Sequence, residues 1–275
     1  MSDIKKIPVT KKIAGILRAV AGTPDPKNFT SAVICAAGSS TRMEKLMGEP
    51  RKQFIELDGI PVVARTLMAY EAADTIHEII VVAREDEIEL YDGFKEKYGL
   101  TKLAKVVKGG ATRQESARLG SDEVSEVCKY IAVADAARCL TTPEEIQRVC
   151  HAAYQYGAAS AGIKATDTVK ICDKSAFIDS TPDRNYVWLA QTPQIFSTSI
   201  YRTAAYVCRD DKVEATDDNS MAEYIRVPVK MVACSRENIK ITEPSDIAFA
   251  EAILALRARK AAESIAESIA EGEGR

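Results

Sequence analysis

The sequence predicts an α/β protein built on a largely parallel sheet with helices on both faces. Three observations predict it. Short apolar runs of strand length recur at residues 32–35, 78–82, 104–108 and 130–134. Segments with helical signals lie between them. The clearest is Thr142-Pro143-Glu144-Glu145, which places proline at the first helical position. The apolar runs also end on small or reactive residues: Ala36-Ala37-Gly38, Gly109-Gly110 and Asp135. In a sheet of this kind, ligands gather at the carboxyl ends of the strands.

Composition narrows the class. The chain has 275 residues, enough to bury the core of one large domain. Hydrophobic residues make up 46% and charged residues 28%, which excludes a disordered chain. A net charge of −3 gives no electrostatic reason for nucleic acid or an anionic membrane as partner. The seven cysteines are scattered singly, and there are only two histidines. That argues against a zinc site and a disulfide framework, and it points to a reducing cytoplasm. No apolar stretch approaches membrane-spanning length.

Taken in order, residues 1–28 read as an N-terminal extension. Ile13, Ile16, Leu17 and Val20 share a helical face, and Arg18 interrupts any secretory apolar core. Gly22-Thr23-Pro24-Asp25-Pro26 breaks the chain, and the domain is set at 29–258. The strand at 32–35 runs into Ala36-Ala37-Gly38-Ser39-Ser40-Thr41-Arg42-Met43, with Arg51-Lys52-Gln53 behind it. Residues 78–82 form the next strand and residues 85–98 a charged amphipathic helix. Residues 104–108 are a strand and 113–124 a helix, against which Gly120 counts. Residues 130–134 are a strand. The helix from Pro143 runs to about Tyr156 and stops before Gly157. A hairpin is expected around Asp173-Lys174-Ser175. A helix follows Pro244 to about Arg257, and residues 259–275 form a helical tail without catalytic duty.

The strand ends carry the chemistry. Small residues after the first strand let backbone amides fold around a phosphate chain. Neither Gly-x-Gly-x-x-Gly nor Gly-Lys-Ser/Thr is present, so this is neither a dinucleotide fingerprint nor a P-loop. Arg42 and Lys52 add a planar fork and a point charge for phosphate oxygens. Gly109-Gly110 exposes backbone for close approach, and Ser116 adds a hydroxyl. Asp135, followed by Arg138, suits a carboxylate facing a phosphate–metal cluster, and it equally suits a helix-capping acid paired with Arg138.

The loop with its Lys52-Gln53 resembles the signature of nucleotidyltransferases that activate sugar or polyol phosphates. Ser40 stands where that signature has a second glycine, and Arg51 where it has proline. Gly109-Gly110-x-x-Arg113-x-x-Ser116 and Asp135-Ala136-Ala137-Arg138 narrow the resemblance to the 2-C-methyl-D-erythritol 4-phosphate cytidylyltransferases and the related ribitol-5-phosphate cytidylyltransferases. Cys35, Ala134 and Cys139 depart from that pattern. Further blocks agree: Asp167-Thr168-Val169-Lys170, Asp183-Arg184-Asn185, Thr192-Pro193-Gln194, Thr216-Asp217-Asp218-Asn219-Ser220 and Asn238-Ile239-Lys240-Ile241-Thr242.

The resemblance implies a Rossmann-like three-layer sandwich with a protruding β-hairpin dimerisation arm at about 168–186. It implies transfer of CMP from CTP to 2-C-methyl-D-erythritol 4-phosphate in the non-mevalonate isoprenoid pathway, by a magnesium-dependent homodimer. CTP would be held by Ala36, Ala37, Gly38, Ser39, Arg42, Lys52, Gly110, Ala111, Ser116, Asp135 and Ala136. The acceptor would be held by Arg138, Thr168, Thr192 and Lys240, with Arg184 and Thr216 from the partner subunit. Arg42, Lys52, Asp135 and Lys240 would form the catalytic set. Mg²⁺ would be carried mainly by the CTP phosphates, with Asp135 an indirect or weak ligand. Two alternatives stand beside this reading. Ribitol 5-phosphate could be the acceptor, or the chain could bind nucleotide without catalysis; the full set of charges speaks against the second.

Overall fold

The computed structural model describes residues 28–38 and 51–273, and for Lys52 and residues 265–273 only the backbone. The helical face expected at Ile13–Val20 and the loop residues Ser39 and Arg42 lie outside the described residues. In chain order the elements are β1 (Thr30–Cys35), the short strands β2 (Glu56–Leu57) and β3 (Ile60–Pro61), α1 (Val62–Ala72), β4 (Glu78–Ala83), α2 (Phe94–Lys97), β5 (Leu103–Lys108), α3 (Arg113–Asp122) and β6 (Tyr130–Asp135). There follow α4 (Pro143–Tyr156), β7 (Ala158–Lys164), β8 (Ile171–Cys172), β9 (Ile178–Ser180), β10 (Trp188–Ser197), α5 (Thr198–Asp210), α6 (Asp218–Tyr224), β11 (Lys230–Ala233) and α7 (Pro244–Glu273).

Seven strands make the main sheet, in the order β11-β7-β10-β6-β1-β4-β5. Every pairing is parallel except those of β10, which is antiparallel to both β6 and β7. The central strands are continuous apolar runs because both sheet faces are covered. Ile34 and Val81 turn to one face, where Leu67, Tyr70, Ile146 and Val149 of α1 and α4 pack. Val33, Ile80, Val82 and Val133 turn to the other, against Ala117, Tyr201, Ala204 and Met221 of α3, α5 and α6. A third cluster seats Ala250 of α7 on Leu57, Val62 and Leu140. The result is the three-layer α/β arrangement expected from the sequence.

Local chemistry explains the boundaries. Thr142 caps α4 in a reciprocal capping box with Glu145, and Gly157 ends the helix at φ 82° in the left-handed region. Gly120 does not weaken α3. A Cβ there would meet Val33 Cγ1 and Val82 Cγ2, each at 2.5 Å, so glycine lets the helix lie close on β1 and β4. Residues 85–98 do not form one helix. A 3-10 turn at Glu85–Tyr91 and the single turn α2 replace it, separated by extended Asp92 and left-handed Gly93. The segment folds inward around an aromatic cluster of Phe54, Tyr91, Phe94 and Tyr98, which a solvated amphipathic helix could not supply. At the other end of the chain, α7 runs unbroken to Glu273.

The expected hairpin is present as β8 and β9. Asp173 Oδ1 closes its turn by accepting the N–H groups of Ser175 and Phe177. Ile171, Phe177 and Ile178 are exposed on it. Among the described residues, no helix is long and apolar enough to cross a membrane.

Candidate active site

Parallel register brings the ends of β1 and β6 level, with Cys35 opposite Asp135. Backbone bonds carry the pairing past the strand ends. The N–H of Ala36 donates to Val82 O at 2.7 Å, that of Ala136 to Cys35 O at 3.1 Å, and that of Gly109 to Ala83 O at 2.8 Å. Between these ends opens a cavity of about 330 Å³, walled by residues 35–38, the turn at 110–113 with Ser116, the segment 135–137, Gln53 and Lys240. Gly109 is required next to two of its wall residues, Ala37 and Ser116. A Cβ there would lie 2.5 Å from Ala37 Cβ and 2.8 Å from Ser116 Oγ, so only glycine lets the two loops approach this closely.

Asp135 is the electrostatic centre. Its Oδ1 accepts from Arg113 Nε at 2.8 Å, and its Oδ2 lies 2.7 Å from Lys240 Nζ and 3.8 Å from Arg138 Nε. Burial alone would raise its pKa. The cations Arg113 and Lys240 outweigh burial and hold the carboxyl well below its ordinary value, so it is ionised at neutral pH. Arg113 is shared, because its Nη1 also donates to Asp218 Oδ2 at 2.8 Å. Burial presses on this guanidinium, but Asp218 and Asp135 prevail and its pKa is raised. Burial pushes the neighbouring Cys35 thiol up to about 12, with Arg113 partly opposing, so it stays protonated and is no nucleophile.

Distant segments hold the cluster in place. Thr192 lies buried beneath Asp135, and its Oγ1 accepts the Asp135 N–H at 3.1 Å. Gln194 Oε1 accepts the N–H groups of Asp218 and Asn219, and its Nε2 donates to Asp217 Oδ2. Asp217 Oδ1 in turn caps α6 by accepting the Ser220 N–H. Asn238 Nδ2 donates to Thr192 O at 3.0 Å, Arg138 Nη1 donates to Asn238 O at 2.7 Å, and Ile241 N–H donates to Ala137 O. These bonds fix the backbone on both sides of Lys240. The motif residues around 192, 217 and 238 therefore act as a frame for the charged groups.

Of the residues expected at the nucleotide, Ala36, Ala37, Gly38, Gly110, Ala111, Ser116, Asp135 and Ala136 wall the cavity, and Lys240 joins them. The amides of three are already engaged. Gly110 N–H donates to Ser116 Oγ and Ala111 N–H to Glu115 Oε2, while Ala36 N–H is bound to β4. Of the residues expected at the acceptor, Arg138 and Thr192 stand behind Asp135, whereas Thr168, Arg184 and Thr216 are exposed and none walls this cavity. Arg184 Nη1 donates to Thr166 O, and Thr216 Oγ1 lies 3.1 Å from Ser220 Oγ. Lys52 opens the 3-10 turn Lys52–Phe54. Arg113 and Asp218 received no role from the sequence. The three-residue spacing of Arg113 and Ser116, at the start of one helix, is the signal that could have found the arginine.

Comparison with known proteins decides the family. The profile of 2-C-methyl-D-erythritol 4-phosphate cytidylyltransferase (IspD) matches residues 30–256. The chain belongs to the 2-C-methyl-D-erythritol 4-phosphate cytidylyltransferase family. A relative of that name from Caldanaerobacter subterraneus subsp. tengcongensis is 40% identical over 225 residues, covering 82% of this chain and 98% of the relative. Another of that name, from Pelotomaculum thermopropionicum, is 39% identical over 235 residues, covering 85% and 98%. The crystal structure of 4-diphosphocytidyl-2C-methyl-D-erythritol synthase from Anaerococcus prevotii superposes with a TM-score of 0.75 at 32% identity, covering 84% of this chain and 97% of that one.

For a cytidylyltransferase, divalent metal must fit the donor set. Among the described residues there is no group of three or more His, Cys, Asp or Glu able to hold a metal by itself. Asp135 is a single ionised carboxylate on the cavity wall. That matches Mg²⁺, which is commonly bound through one carboxylate plus substrate phosphates.

Proposed function

We propose that this chain transfers the cytidylyl group of CTP to 2-C-methyl-D-erythritol 4-phosphate, giving 4-diphosphocytidyl-2-C-methyl-D-erythritol and pyrophosphate in the non-mevalonate isoprenoid pathway. Family membership supports the reaction. The observation that carries it to this chain is the ionised Asp135, flanked by Arg113 and Lys240 at a strand-end cavity. An acceptor phosphate oxygen attacks the α-phosphorus in line. The bond to the β-phosphate oxygen breaks, and its electron pair leaves with pyrophosphate. The acceptor is already an anion, so no strong base is needed. The difficulty is bringing two anions together, and fixed cations meet it.

Arg42 and Lys52 hold the triphosphate and cover the charge that grows on the α-phosphate. The CTP phosphates, with Asp135 as an indirect or weak ligand, would hold Mg²⁺, which would supply charge neutralisation. Asp135 keeps Lys240 aimed at the cavity until an acceptor phosphate competes for it. With the Ala36, Gly110 and Ala111 amides engaged, a base in the slot would be read by the remaining backbone groups of its walls and by Ser116. Carbonyls accept from the exocyclic amine of cytosine, where uracil offers only another acceptor.

The acceptor side is completed in this reading by a second copy in a cytoplasmic homodimer. In this reading the domain spans 29–258, and its arm at about 168–186 carries Thr168 and Arg184, which are exposed and do not wall their own cavity. Exposed Ile171, Phe177, Ile178 and Tyr186 give that arm an apolar surface to bury. The deciding assay is pyrophosphate release with CTP and Mg²⁺, run in parallel with methylerythritol phosphate and ribitol phosphate. Release with the first alone establishes the reading. Release with ribitol phosphate alone moves the chain to polyol activation, and silence with both overturns transferase function.

A further inference from the structure

Glu87 is a buried acid that the reaction does not touch. It lies in the Glu85–Tyr91 turn after β4 and is wholly inaccessible. Its Oε2 accepts from Gln53 Nε2 at 2.6 Å. Among the described residues its Oε1 has no hydrogen-bond donor, and it lies 3.9 Å from Arg51 Nε and 3.7 Å from Arg84 Nε. The neighbouring Asp86 pairs with Arg51 Nη2 at 3.2 Å. Gln53 itself walls the cavity. One residue on, Phe54 packs edge-on against Tyr91 and Phe94, with ring centroids 5.5 and 6.4 Å away. The segment carrying Arg51, Lys52, Gln53 and Phe54 is thus gripped on both sides of Lys52 by the segment after β4.

We infer that Glu87 is a positioning residue that sets where Lys52 enters the active site, by holding the side chains of Gln53 and Arg51. The inference rests on the cytidylyl-transfer reading, in which Lys52 acts on the phosphates. A grip on the backbone at Lys52 affects the transition state more than the ground state. Charge develops there, and a displacement of about 1 Å in a catalytic group costs on the order of 10²-fold.

Burial raises the Glu87 pKa, with the Gln53 hydrogen bond opposing. A carboxyl raised in the folded state stabilises the fold only below its ordinary value of 4.5, and that contribution is lost as pH rises through the folded value. Loss of the Glu87 charge is therefore not expected to lower stability, so a fall in kcat without a fall in thermal midpoint separates a positioning role from a structural one.

The test measures pyrophosphate release and thermal midpoint for wild type, Glu87→Gln and Gln53→Met. Turnover by wild type checks the transfer reading independently. Glu87→Gln keeps the volume and an acceptor for Gln53 but removes the charge facing Arg51. It should lose about ten- to a hundredfold in kcat, with KM for CTP within about twofold and no fall in thermal midpoint. Gln53→Met removes the donor from the other side of the bond and should show the same split, so it decides the matter even where a Glu87 variant fails to fold. An active wild type with kcat unchanged in the variants overturns the inference. So does a loss of kcat that merely tracks loss of folded protein.

Discussion

Lys240 Nζ stands 2.7 Å from Asp135 Oδ2, while the other oxygen of Asp135 is held by Arg113. The acid is thus clasped from two sides, by a helix start and by a C-terminal loop. Asp135→Asn leaves the shape but removes the charge that orients both cations. It should lower kcat by about 10²–10³, read as initial rates at saturating CTP. Because the native carboxyl is held below its ordinary value of 3.8, the pH profile should show no limb from Asp135 above about pH 5.

Arg113 joins β6 to α6 through Asp135 and Asp218, and the Arg113–Asp218 bond spans 105 residues of chain. Arg113→Met leaves buried Asp218 without its cation and Asp135 with Lys240 as its close partner. The expected cost is about 3–5 kcal/mol of stability, measured by chemical denaturation, together with a loss of turnover. Adding Asp218→Asn removes one stranded charge and should recover part of the stability but not the activity.

Gly109→Ala tests the close approach of two of the cavity's loops. The added Cβ meets Ala37 and Ser116, neither of which can yield without moving a loop. Overpacking of this kind costs about 1–3 kcal/mol. The larger effect should be on the nucleotide slot, with KM for CTP raised well beyond any change in kcat.

His77 offers a pH signature far from the site. Its Nδ1 accepts the Thr30 N–H at 3.0 Å, and its ring stacks on Phe29 at 5.0 Å. Burial, and then Lys102, lower its pKa from 6.5. A histidine depressed in the folded state contributes stability above its ordinary value and loses it as pH falls through the folded one. Between about pH 7 and pH 5 the thermal midpoint of wild type should therefore fall more than that of His77→Gln, which carries no titrating group.

The arm allows a mixing experiment. Under the dimer reading, a site takes Lys240 from one subunit and Arg184 from the other. Inactive Arg184→Ala and Lys240→Ala proteins, mixed and allowed to exchange, should recover about a quarter of wild-type activity through heterodimers with one intact site. No recovery after demonstrated exchange counts against an Arg184 acting across the interface.

The fold was legible where one physical cause acts alone. The central strands are apolar on both faces, so β1, β4 and β6 read directly as continuous runs, and the edge strand β5 is marked by its shorter run Val106-Val107. Thr142, Glu145 and Gly157 announce both ends of α4. Residues 85–98 were not legible as 3-10 and α turns. Their charge spacing satisfies a helix, whereas Glu87, Tyr91 and Phe94 are drawn inward by partners elsewhere in the chain. In the site, the loops announced themselves through small residues at strand ends. The Arg113–Asp218 bond did not, because it exists only once β6, α3 and α6 have been brought together by the topology.

The sheet order also imposes a sequence in time. β1, β4, β5 and β6 are all made before β10, Asp218 or Lys240 leaves the ribosome. A growing chain can therefore assemble the nucleotide half of the sheet while the rest is still being synthesised. Throughout that interval Arg113, already on the chain, can cover the charge of Asp135. The acid need not wait for Lys240 before entering apolar surroundings, and the lysine arrives last, into a place already prepared for it.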